Sequence, residues 1–152
     1  MAMRKIPADT ATFHFFNANP KGNKSCDCVV RAIAGATGQT WDETLEGMVA
    51  TALKLKLMPN DPKCYDKYLQ SIGWHKQKQP KFKNGTKYTG SEFVKRFDGT
   101  IIAHIGGHHL VCIREHRVWD TWDSTNGCIG NIWTKDDIRD RDLLHALNGQ
   151  GE

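Results

Sequence analysis

No stretch of the 152-residue sequence approaches the roughly twenty apolar residues that a membrane-crossing helix requires. The N-terminal run MAMRKIPADTATFHFF starts basic but lacks the continuous apolar core of a secretion signal, so the expected address is the cytoplasm. Cysteine is not present in an even set: the five stand at positions 26, 28, 64, 112 and 128, which in a reducing compartment favours free thiols over a disulfide framework. Acidic residues are missing from KQKQPKFKNGTK, residues 76–87, where five lysines meet no counter-charge. Such a run reads first as a solvated loop rather than a nucleic-acid surface. Internal repeats and low-complexity segments are also lacking.

What is present fits one soluble domain over residues 1–152. The chain is 39% apolar and 25% charged, with a modest net charge of +4, and is long enough to bury a core without metals or disulfides. Residues 1–25 are largely irregular, with turn formers in NANPKGNKS. Asp27 can cap a helix that begins at Cys28; CVVRAIAGA is apolar on almost every side, and Thr37-Gly38 supplies its stop. A second helix opens on the capping-box pattern Thr40-Trp-Asp-Glu43 and carries Trp41, Leu45, Met48, Val49 and Ala52 on one stripe, broken by Pro59, Asp61 and Pro62. A short helix is expected over Lys63 to Gln70, then a weakly structured lysine segment, then a helix over EFVKRF capped by Ser91. From Thr100 the runs TIIAHI, HLVCI, RVWDTW and GCIGNIW predict an antiparallel meander, and DDIRDRDLLHAL a closing helix. Helices first and strands second make an α+β arrangement.

The stretch GNKSCDCVVRAIAGATG places two thiols where a polar segment meets a helix. A helix start lowers a thiol's pKa through its free N–H groups and the positive end of its dipole, and those N–H groups can hold an oxyanion. Cys28, just after Asp27, is placed for both effects; Cys26 precedes the cap and gains much less. A buried cysteine opening an apolar helix is also an ordinary core residue, so the reading needs a partner base.

GGHHLVCIREHRVWDTWDS, residues 106–124, offers one. A turn centred on Glu115-His116 would pair Arg114 with Arg117, Val111 with Asp120 and His109 with Trp122. His109 and Asp120 then share a face as diagonal neighbours, while His108 lies opposite Asp123 on the other face. A slip of one residue exchanges the two sets, so both histidines stay open at this point.

Taken together, a cysteine opening the central helix, a late-strand His109-Leu-Val111 and a strand end Asp120-Thr-Trp122 resemble the papain-like cysteine peptidases. The acidic third member is similar to the bacteriocin-processing branch of that clan. Asp27-Cys-Val-Val-Arg-Ala32, the following Thr-Gly-x-x-Trp-Asp-Glu pattern and the late Trp-Asp-Thr-Trp-Asp-Ser resemble small papain-like proteins of bacteria and phages, over roughly residues 17–135. The resemblance implies a papain-like fold, with N-terminal helices packed on a C-terminal antiparallel sheet. It implies Cys28 as nucleophile, His109 as base and Asp120 as orienting residue, a peptide or protein substrate, and no cofactor or metal. It also implies an oxyanion-hole glutamine about six residues before the nucleophile. Gly22 stands there instead, leaving Asn23 as the nearest amide, with Asn17 and Asn19 behind it.

Other classes remain open on the residues alone. Cys26 and Cys28 with His104, His108 and His109 could form a metal-binding module, although C-x-C is not the usual knuckle spacing and adjacent strand histidines point apart. The lysine segment with Phe82 and Tyr88 interleaved is the feature that would suit nucleic acid. A papain-like fold used only for binding is a third possibility.

Overall fold

The change from helices to strands along the chain is the layout of the computed structural model, which describes residues 5–135. Its elements are β1 (Phe13–Phe15), α1 (Cys28–Thr37), α2 (Trp41–Leu55), α3 (Pro62–Ser71), β2 (Trp74–Gln77), α4 (Gly90–Arg96), β3 (Ile101–Ile105), β4 (His109–Arg114), β5 (Arg117–Asp120) and β6 (Ile129–Lys135). The strands form one sheet in the order β1-β5-β4-β3-β6-β2. The fold is therefore α+β. No helix among the described residues is long and apolar enough to cross a membrane. The helix expected over DDIRDRDLLHAL lies outside the described residues.

Several expectations are corrected by this sheet. It is not a plain meander, because β6 returns beside β3 rather than β5. It is not wholly antiparallel, because β1 pairs parallel with β5 along one edge. That edge strand sits inside the N-terminal stretch expected to be largely irregular. The lysine segment likewise begins in a strand: β2 pairs with β6, Trp74 opposite Lys135 and Gln77 opposite Ile132. Both strands are short, and their partners lie far away in sequence, so local composition carries little trace of them.

Local chemistry sets the helix ends. α1 stops at Gly38, whose φ of +79° is the left-handed region that only glycine enters freely, and whose N–H donates to Ala34 O. Thr40 caps α2 by accepting from the Glu43 N–H at 3.0 Å. α3 starts one residue earlier than expected, with Asp61 as cap and Pro62 in the first turn. The cap of α4 is Thr89, not Ser91, in a capping box closed reciprocally by Glu92.

The sheet buries both faces by strand periodicity. Ile101, Ala103, Ile105, Val111, Ile113 and Val118 meet Tyr88, Phe93, Val94 and Phe97 of α4 and the residues flanking it. Ile102, Leu110 and Trp133 meet Val30, Ile33, Met48, Tyr65 and Leu69 from the three longer helices. Each fully buried Val, Leu, Ile, Phe or Met among them contributes about 1.5–3 kcal/mol. α1 can lie close on β4 because Gly35 has no side chain: a Cβ there would come within 3.2 Å of Cys112 Cβ and 3.1 Å of the Phe16 ring.

Candidate active site

The β4–β5 turn sets the register. Glu115 and His116 both have positive φ, 51° and 60°, the pair of left-handed residues that a two-residue hairpin of matching twist requires. The His116 Nδ1–H holds the turn by donating to Val94 O at 2.7 Å. Arg114 then faces Arg117, Ile113 faces Val118 and Cys112 faces Trp119. His109 is consequently the first residue of β4 and Asp120 the last of β5, side by side at one end of the sheet. The His109 Nε2–H donates to Asp120 Oδ2 at 2.6 Å.

α1 reaches the same end of the sheet with its first turn. The Cys28 thiol is half-buried beside His109, whose hydrogen bonding, with that of the backbone N–H of Leu110, favours its thiolate. Nε2 of His109 is taken by Asp120, so Nδ1 is the nitrogen left for sulfur. Burial works against the thiolate, but the His109 and Leu110 hydrogen bonds and the positive charges of His109 and Arg31 outweigh it, and the Cys28 pKa is lowered. Burial also opposes protonation of His109. Hydrogen bonding to Asp120 and Cys28, reinforced by their negative charge, prevails there and raises its pKa to about 9. Asp120 feels burial pushing it up, but His109, the Ser124 hydroxyl at 2.8 Å and the Thr121 N–H at 2.7 Å hold its pKa down.

Asp27 occupies the cap position of α1 without capping it through its side chain. Its carboxylate is claimed elsewhere, by Arg31 Nε at 2.9 Å and by the Trp41 indole N–H at 2.9 Å. The first-turn N–H groups of α1 are thus not covered by a cap side chain. Arg31 extends the chain of contacts by donating from Nη1 to Asp120 Oδ1 at 3.1 Å and to the Thr121 hydroxyl at 3.2 Å. Trp122, 52% exposed, lays its ring over His109 with centroids 5.1 Å apart.

These groups open onto a groove of about 750 Å³, whose walls include Cys26, Cys28, Arg31, Tyr65, Lys76, His104, His108, His109, Trp122, Asn60 and Asn131. Within it the Tyr65 hydroxyl lies 2.6 Å from His104 Nε2. The other residues singled out in the sequence are placed differently. His108 is exposed on the turn with Gly106 and Gly107, and Asp123 accepts from the Thr125 N–H and hydroxyl rather than from a histidine. Asn23 is exposed and is not part of the groove wall. Asn17 and Asn19 accept from the backbone two residues on, as turn residues do. The described cysteines are free, Cys26 and Cys128 exposed, Cys64 and Cys112 buried. Among the described residues, no three His, Cys, Asp or Glu side chains converge as metal ligands.

In comparisons with protein-family models, curated protein sequences and solved structures, nothing matches this chain.

Chemically, the arrangement gathers a thiol, an imidazole and a carboxylate in one line, with the imidazole hydrogen-bonded to the carboxylate and the sulfur at a helix start. Such a line can move a proton from sulfur to nitrogen and keep the resulting charge pair. Arg31, Ser124, Tyr65 and His104 were not singled out by sequence reasoning for these contacts. Arg31 did leave a signal: a lone charge in the apolar run CVVRAIAGA, four residues after Asp27, must find a partner inside.

Proposed function

We propose that this chain is a thiol hydrolase of the papain-like type, a cysteine peptidase or amidase that works by acyl transfer through a thioester. Cys28 is the nucleophile, His109 the base and Asp120 the residue that orients it. The observation that carries this reading is the His109–Asp120 hydrogen bond with the Cys28 thiol at the start of α1 lining the same groove, which is large enough for an extended peptide.

In this reaction the Cys28 proton passes to Nδ1 of His109, and Asp120 holds the imidazolium through Nε2. Sulfur attacks the carbonyl carbon of a peptide, isopeptide or side-chain amide. The oxyanion forms beside the uncapped N–H groups of α1. His109 returns the proton to the leaving amine, and water then cleaves the thioester. The free cysteines suit a reducing compartment, so we assign the protein to the cytoplasm.

Iodoacetamide labelling of the native chain, read by peptide mapping, tests the reading. Cys28 should react first. Labelling of Cys26 or Cys128 at the same rate as Cys28 would remove its support.

A further inference from the structure

Tyr65, on α3, and His104, on β3, line the groove that Cys28 opens into, yet the proton path from Cys28 to Asp120 uses neither. They are joined by the 2.6 Å contact between Tyr65 Oη and His104 Nε2. Trp133 fixes both rings edge-on, with centroids 5.9 Å from Tyr65 and 5.1 Å from His104. The Tyr65 residue is only 2% exposed, so its hydroxyl is held in place rather than free to wander. Cys28 packs against the same apolar cluster that contains Tyr65.

The protonation states suit a donor. Burial, and after it the negative charge of Cys28, push Tyr65 up to about 12, so the phenol keeps its proton. Burial, then the charges of Lys76 and His108, lower the pKa of His104 and favour its neutral form. A neutral imidazole carries one N–H. With that proton on Nε2, His104 donates to the phenol oxygen and leaves the phenol proton free to point into the groove. The amide that the papain resemblance requires is missing at Gly22, and Asn23 stands outside the groove wall. A side-chain donor is therefore still needed beside the helix-start N–H groups.

We infer that Tyr65 is the side-chain donor to the oxyanion formed at Cys28, and that His104 is the positioning residue that aims its hydroxyl. This rests on the thiol hydrolase reading. As the C–S bond forms, the carbonyl π pair moves onto oxygen, which accepts from Tyr65 O–H and from the first turn of α1. When the oxyanion collapses, the bond to the leaving group breaks. An amine departs with the proton held by His109. Tyr65 keeps its proton throughout.

Two reagents separate the inference from the reading it rests on. Acylation of Cys28 by p-nitrophenyl acetate passes through an oxyanion and releases p-nitrophenolate; alkylation by iodoacetamide displaces iodide without one. In the full chain, Tyr65→Phe should slow the p-nitrophenolate burst on the order of 10²-fold, the scale of one lost oxyanion donor. Alkylation of Cys28 should stay within about twofold, since it makes no transition-state use of that donor. His104→Leu should slow the burst in the same selective way. His104→Gln, which keeps an N–H at similar reach, should recover most of it. A parallel fall of burst and alkylation, no fall in either, or a wild type that alkylates rapidly but gives no burst would each overturn the assignment. If wild-type Cys28 alkylates no faster than Cys26, the hydrolase reading fails and the oxyanion role goes with it.

Discussion

Arg31 Nη1 lies 3.1 Å from Oδ1 of Asp120, the carboxylate whose other oxygen holds His109. The guanidinium also grips Asp27 through Nε at 2.9 Å, so one buried cation serves two buried anions. With side chains only 11%, 5% and 1% exposed for Arg31, Asp27 and Asp120, water offers little replacement. The cluster is thus both a structural joint between α1 and β5 and the backing of the imidazole.

Arg31→Met removes the shared cation and leaves Asp27 to the Trp41 indole and Asp120 to His109, Ser124 and the Thr121 N–H. Loss of one partner from a buried pair costs about 3–5 kcal/mol, and urea unfolding should show a loss of that size. A loss under about 1 kcal/mol would mean that the cluster is as weak as an exposed pair.

His109→Ala deletes the hydrogen bond and the charge that favour the Cys28 thiolate. A thiol returned to its ordinary pKa of 9.0 is roughly 1% ionised at pH 7. Alkylation of Cys28 at pH 7 should therefore slow by about tenfold or more and regain speed as the pH approaches 9. Rates equal to wild type at pH 7 would show that the imidazole does not govern the sulfur.

The pH profile of acylation follows from the two shifts. The thiolate is present above the lowered Cys28 pKa, and the imidazolium persists until the pH passes about 9. Turnover of an amide should rise through the lowered Cys28 pKa, at a pH below the ordinary thiol range, and fall near pH 9. Asp120→Asn removes the negative partner of His109, so the alkaline limb should move down by about one unit or more. An unmoved limb would assign it to another group.

Trp122 shields His109 while remaining half in water, so Trp122→Ala should cost no more than about 1 kcal/mol in urea unfolding. The ring would lose its cover, and the p-nitrophenolate burst should slow by roughly tenfold through poorer alignment at Cys28. A stability loss of several kcal/mol would make the tryptophan a core residue instead.

The legible parts of the fold are those written in neighbouring residues. Gly38 marks the end of α1, Thr40 and Glu43 mark the start of α2, and the Glu115-His116 turn sets the strand register that brings His109 beside Asp120. β1 and β2 were not legible, because a three- or four-residue edge strand exists only where β5 or β6 offers it hydrogen bonds. The cap of α4 lies two residues before the expected Ser91, at Thr89, because Glu92 reaches back to the Thr89 N–H at 3.0 Å. Asp27 stands at the cap position its sequence context suggests, but the nearby guanidinium and indole N–H compete successfully for its oxygens. The contact between Tyr65 and His104, 39 positions apart, depends on how α3 settles against β3, and no local pattern announces that.

The joint between Arg31 and Asp120 spans 89 positions of chain. During synthesis from the N-terminus, the sulfur that heads α1 is made long before the imidazole and carboxylate that would sharpen it, and until those strands pair it behaves as a common thiol. The lowered pKa of the sulfur is thus deferred to the last stages of assembly, when the strands that carry its partners have paired.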